Sequence, residues 1–144
     1  MKKKYFSPVP VQGLIVQDQE MDIFGSSLVG CKKLNTLRLA VGGGGKLTER
    51  TLGCLLTGIK SLEKTLDDLF ISFDSRGKFR QKATIEFLQG LIVLKKLKKF
   101  NYSDGLHARN VRGGRGLENF PDSLKEYQNL KCLKEFIFQG NRFI

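Results

Sequence analysis

The stretch Leu28-Val29-Gly30-Cys31-Lys32-Lys33-Leu34-Asn35-Thr36-Leu37-Arg38-Leu39 decides how this chain is read. Its apolar positions fall three residues apart at 28, 31, 34 and 37, then two apart at 37 and 39. A period of three to four is helical and a period of two is extended, so the change of period predicts a helix running into a strand. Two later segments repeat the spacing: Leu88, Leu91, Leu94, Leu97, Phe100, Tyr102, and Leu124, Tyr127, Leu130, Leu133, Phe136, Phe138. Another segment, Leu56, Ile59, Leu62, Leu66, Leu69, Ile71, matches after one inserted residue.

Aligning the strands on Leu39, Ile71, Tyr102 and Phe138 gives periods of 32, 31 and 36 residues. A weaker fifth strand, Leu14-Ile15-Val16, precedes them. Turn-rich segments follow each strong strand: Gly42–Gly45, Asp74-Ser75-Arg76-Gly77, Ser103-Asp104-Gly105 and Gln139-Gly140-Asn141. Each unit is therefore strand, loop, helix, and then the next strand. One unit cannot cover its own apolar face. Stacking does so, with strands paired in parallel on one side and helices packed on the other.

On these residues the chain resembles a leucine-rich repeat protein of the ribonuclease-inhibitor type, with divergent protist-type repeats. The run at 28–39 carries most of the resemblance, which extends over residues 14–140. It implies an α/β fold: a short solenoid of four to five repeats, parallel strands on the concave side and helices on the convex side. Where that family usually has Asn or Cys after the strand, this chain has Val41-Gly42, Phe73-Asp74, Asp104 and Gly140. The competing expectation is an ordinary α/β domain whose segments happen to look alike.

At 144 residues the chain predicts one domain, 1–144, with a basic N-terminal arm at 1–12 and a Gly/Arg-rich insertion at 106–116. Hydrophobic residues at 40% and charged residues at 27% suit a packed core and argue against wholesale disorder. No apolar run approaches the roughly 18 residues that span a bilayer, so no membrane insertion is expected. Lys2-Lys3-Lys4 is not followed by the apolar stretch of a secretory signal. Three widely spaced cysteines, Cys31, Cys54 and Cys132, form no disulfide framework. Reduced, buried thiols in an intracellular, cytoplasmic protein are the expectation.

The net charge of +11 is regional. Between Arg76 and Gly116 lie Arg76, Lys78, Arg80, Lys82, Lys95, Lys96, Lys98, Lys99, Arg109, Arg112 and Arg115, against only Glu86 and Asp104. These residues are expected to form one positive edge in the middle of the stack. Such an edge would dock an acidic protein surface or, in the rival reading, RNA. A lone Arg-Gly-Gly-Arg at 112–115 and few nearby aromatics carry the RNA reading only weakly.

Residues between the buried strand positions point away from the core. The register puts Ile15, Arg38, Phe70, Asn101 and Ile137 in one row across the open face. Thr36, Asp68, Lys99 and Glu135 form the row before it, and Gln17, Ala40, Ser72, Ser103 and Gln139 the row after. A row of exposed apolar side chains marks a protein contact more often than a nucleic-acid contact. With no amphipathic cap after the last strand, that edge is expected to be covered by a neighbour.

Catalytic motifs are absent. Val41–Thr48 sits between strand and helix but places Ala40 and Leu47 where a phosphate-binding loop needs Gly and Ser/Thr. Cys31, Cys54, Cys132 and His107 lack zinc-site spacing, and His107 has no visible catalytic partner. No cofactor, metal or small-molecule substrate is expected. The sequence thus reads as a non-catalytic protein–protein interaction or assembly subunit of a larger complex. The alternatives are an RNA-associated subunit of a ribonucleoprotein using Arg76–Arg115, or a recognition arm of an enzyme complex.

Overall fold

A computed structural model describes residues 17–41, 47–73, 79–104, 111–112 and 122–140. In chain order the elements are α1 (Asp18–Leu28), β1 (Thr36–Val41), α2 (Arg50–Lys60), β2 (Asp68–Phe73), α3 (Gln81–Gly90), β3 (Lys99–Asp104), β4 (Val111–Arg112) and β5 (Glu135–Gly140). The strand order is β1-β2-β3-β5-β4. The first four run parallel, and β4 adds to β5 in the antiparallel sense. The fold is α/β, and among the described residues no helix is long and apolar enough to cross a membrane.

The strand register is the one the apolar spacing predicts. Leu37, Leu69, Phe100 and Phe136 align in one column, and Leu39, Ile71, Tyr102 and Phe138 in the next. All eight are buried, together with helix residues including Leu52, Leu55, Ile59, Phe87 and Leu88. One sheet face is thus covered by the helices, while alternate strand residues face away. Tyr102 and Phe138 stack at 5.6 Å with their planes 17° apart, and Phe100 meets Phe136 edge-on at 5.3 Å. Full burial of a Leu or Phe side chain contributes about 1.5–3 kcal/mol, so each column adds several kcal/mol to the fold.

The entry into each strand is built from one repeated backbone device. The Asn35 carbonyl accepts from the Asp67 and Asp68 N–H groups at 2.9 and 3.1 Å. The Asp67 carbonyl does the same for Lys98 and Lys99, at 2.7 and 3.1 Å, and the Lys98 carbonyl for Lys134 and Glu135, at 2.8 and 3.1 Å. Two donors on each carbonyl satisfy the strand starts and lock neighbouring units in register.

Several expectations need correction. The helix expected before the last strand is a 3₁₀ segment, Asp122–Asn129, and a second 3₁₀ turn, Leu91–Val93, ends α3. The reason lies in the spacing. Within Asp122–Asn129 the apolar residues are Leu124 and Tyr127, three apart and without an i+4 partner, which suits 3₁₀, whereas α2 carries Leu52, Leu55, Leu56 and Ile59 at α-helical spacing. The insertion is not wholly loop, because Val111 and Arg112 pair with Phe138 and Ile137. The edge of β5 expected to stand open is therefore partly occupied by the chain itself. Cys31 and Cys132 are exposed and Cys54 is half-buried, against the expectation of buried thiols. The residues whose carbonyls accept the corresponding turn bond in the other units, Leu62, Leu94 and Leu130, are buried, so the outward turn is particular to Cys31.

The expected strand at Leu14–Val16, the basic arm at 1–12, the Gly42–Gly45 loop and His107 lie outside the described residues.

Candidate functional site

The uncovered sheet face carries the predicted rows in the predicted register. Arg38, Phe70, Asn101 and Ile137 sit opposite one another on β1, β2, β3 and β5. Asp68, Lys99 and Glu135 form the row beside them, and Ala40, Ser72 and Ser103 the row beyond. Arg38 is exposed, while Phe70, Asn101 and Ile137 are half-buried. Thr36 departs from its row, being fully buried with its hydroxyl oxygen unpartnered among the described residues.

The centre of the face is a shallow groove of about 220 Å³ along Arg38, Asp68, Phe70, Lys99, Asn101 and Glu135. The Arg38 guanidinium carbon lies 4.8 Å from the Phe70 ring centroid, a cation–π contact across one strand step. Asp68, Lys99 and Glu135 alternate in sign across three strands, an arrangement that cross-strand pairing favours. The face therefore offers a flat cation over an aromatic ring, a polar amide, an isoleucine and a row of alternating charge. Chemically it can hold an extended or flat surface. Among the described residues, no three of His, Cys, Asp and Glu gather as metal ligands.

The basic residues do not share one edge. Lys95, Lys96 and Lys98 are exposed in the turn that enters β3, and Lys99 is exposed at the start of that strand on the open face. Arg80 and Lys82 lie at the start of α3, the opposite edge of the sheet, because each helix begins after a strand has ended. Arg80 is also engaged: its Nε is 2.9 Å from Glu49 Oε1, and its backbone N–H donates to Glu49 Oε2 at 2.7 Å. Arg112 lies on β4. Ile15, Arg76, Lys78, Arg109 and Arg115 lie outside the described residues.

A third group of polar residues, which sequence reasoning missed, joins the helix starts. Asp18 Oδ1 accepts from the Thr48 N–H at 2.9 Å and from Thr51 Oγ1 at 2.6 Å, while Asp18 Oδ2 accepts from Thr48 Oγ1. One unit later, Glu49 accepts from the Arg80 backbone and side chain. Burial alone would raise the Asp18 carboxyl, but the hydrogen bonds from Thr48 and Thr51 outweigh it and hold the group below its usual range. Glu49 is lowered first by the Arg80 N–H and then by its side chain. Between these carboxylates, Asp22 binds Arg50 at 2.7 Å and accepts from the Cys54 thiol. That contact, followed by burial and the Asp22 charge, pushes Cys54 up. Each carboxylate ties one helix to the next, so the cluster organises the stack. The signal was present in the sequence as Asp18 and Glu49, one repeat apart at the helix starts.

No protein-family model, no curated protein and no solved structure matches this chain.

Proposed function

We propose that the chain is a short leucine-rich-repeat-like solenoid, with the open sheet face concave and the helices convex, acting as a non-catalytic protein–protein interaction or assembly subunit. The observation that carries this reading is the continuous open row Arg38–Phe70–Asn101–Ile137, with Arg38 stacked on Phe70. A stacked Arg–aromatic pair beside an isoleucine, rimmed by alternating charge, has the composition of an interface centre. Rigid parallel pairing holds these side chains in fixed positions, so little ordering cost is added on binding. The partner is a protein, and its surface includes acidic groups that meet Arg38 and Lys99. Free cysteines at Cys31, Cys54 and Cys132 support an intracellular, cytoplasmic setting.

Phe70→Asp combined with Ile137→Asp tests this reading. Both residues are half-buried on the uncovered face, so the variant should keep its far-UV circular dichroism. The proteins that co-purify with the unmodified chain from its native source should be lost from the variant. Retention of the same proteins at unchanged yield would remove the open face as the contact.

A further inference from the structure

The strand register, carried back into the turns, aligns four lysines. Thr36, Asp68, Lys99 and Glu135 are partners across the sheet, so the residues four positions earlier are Lys32, Lys64, Lys95 and Lys131. All four are exposed. The repeated bonds through the Asn35, Asp67 and Lys98 carbonyls fix the strand entries that follow the lysines. Each lysine stands two residues before the leucine that closes its turn: Leu34 bonds back to Cys31, Leu97 to Leu94 and Leu133 to Leu130, while Leu66 reaches one residue further, to Leu62. Neighbouring strands are about 4.8 Å apart, which spreads the four backbone positions over about 14 Å of this edge. Lys33, Lys96, Lys98 and Lys134 flank the line, also exposed. Against these eight cations, the four turns hold two carboxylates, Glu63 and Asp67. Among the described residues, none of the eight lysine side chains makes an ion pair.

Three features select the partner. A line of equally spaced like charges fits a polymer whose own charges repeat at a similar step. Lysine is a compact point charge suited to phosphate oxygens without demanding a fixed fork. The turns are also poor in what a protein interface requires: Leu34, Leu66, Leu94, Leu97 and Leu130 are buried and Leu133 is half-buried, leaving Val29, at the start of the first turn, as the one exposed large apolar side chain among the described residues of the four turns. We infer that the strand-entry edge, through Lys32, Lys64, Lys95 and Lys131, binds the phosphate backbone of a single-stranded nucleic acid without reading its bases. No aromatic side chain is exposed among these lysines to stack a base, so the contact is electrostatic and indifferent to sequence. The site is separate from the open face and stands or falls independently of it.

Fluorescence anisotropy of a labelled twelve-nucleotide oligouridylate, titrated with the full chain at several salt concentrations, tests the inference. The variant Lys64→Gln, Lys95→Gln, Lys131→Gln should bind at least about tenfold more weakly at low salt. Its plot of log affinity against log salt should be shallower by roughly 2, since each single-strand phosphate contact contributes about 0.7. The variant Arg76→Gln, Lys78→Gln, Lys82→Gln removes the same charge from the stretch of sequence between β2 and the first turn of α3 and should stay within about twofold. An oligocytidylate of equal length should bind alike, and Lys→Arg at the three ladder positions should restore binding. Should the triple glutamine variant lose its helical circular dichroism, Lys95→Gln alone carries the test through its slope. Equal losses from both triple variants, or no binding by the unmodified chain at low salt, would overturn the inference. So would ladder-dependent binding of polyglutamate or phosphatidylserine vesicles tighter than that of the oligonucleotide.

Discussion

Gly58 of α2 lies against Gly25 of α1 so closely that a β-carbon on Gly58 would sit 2.3 Å from the Gly25 carbonyl oxygen. A β-carbon on Gly25 would in turn meet the Cys54 carbonyl oxygen at 2.6 Å. At this crossing the first two helices therefore meet backbone to backbone, while side chains from Asp18 and Asp22 join them nearer their starts. Gly90 holds the matching place on α3, where a β-carbon would strike the Leu56 side chain at 2.6 Å. Glycines at 25, 58 and 90 thus recur with the repeat near the helix ends.

Gly58→Ala should destabilise the chain. Alanine gains about 1 kcal/mol in helix propensity, but forcing two backbones apart costs more, leaving a net loss of about 2 kcal/mol. Gly53→Ala, in the same helix with nothing within 4 Å of the added carbon, should stabilise by about 0.5–1 kcal/mol. Urea denaturation of the two variants checks both signs. Shifts in the same direction would contradict the packing.

Tyr127→Phe should cost about 1–2 kcal/mol in the same assay. The Tyr127 hydroxyl is buried and donates to the Leu88 carbonyl, tying the last 3₁₀ segment to the end of α3. Removing it leaves that carbonyl without this donor while the ring stays packed on Phe100 and Phe136. Unchanged stability would show that the bond carries no net weight.

Acid should loosen the joint between α1 and α2. The Asp18 carboxyl is depressed in the folded chain, so its contribution to stability is complete above the ordinary carboxylate range, about pH 4. It is lost as the pH falls from there through the lower folded value. Thermal melts from pH 6 down to pH 2 should show a steeper decline for the unmodified chain than for Asp18→Asn. Parallel declines would place the acid sensitivity elsewhere.

Cys54 should be the slowest of the three thiols to alkylate. Its hydrogen bond to Asp22, with half-burial and the Asp22 charge, pushes the thiol up and lowers the thiolate fraction. Cys31 and Cys132 are exposed. Timed iodoacetamide labelling at pH 8, read by peptide mass, should rank Cys54 last, and Asp22→Asn should speed it. Labelling of Cys54 ahead of both others would refute the assignment.

Much of the fold was legible because apolar spacing is written locally. Leu39, Ile71, Tyr102 and Phe138 fall in one column because each closes the same change of period, and the burial requirement leaves a single register. The open-face row Arg38–Phe70–Asn101–Ile137 follows by alternation. The lysine line was equally encoded, but it emerges only when the register is extended past the strand starts into the turns. Reading charge as a window along the chain grouped Arg80 with Lys95 instead, although the sheet puts them at opposite edges.

The amino-acid order by itself determined the alternation of helical segments with strands, the strand register and which strand residues face away from the helices, since each depends on periodicity within one segment. Only the tertiary structure decided that Val111 and Arg112 pair with β5, that Cys31 turns outward, that Gly25 meets Gly58, and that Asp18 reaches Thr48 and Thr51. Those contacts join atoms of different units or of the insertion. Their energies depend on how closely neighbouring turns approach, a distance that no spacing within a single segment contains.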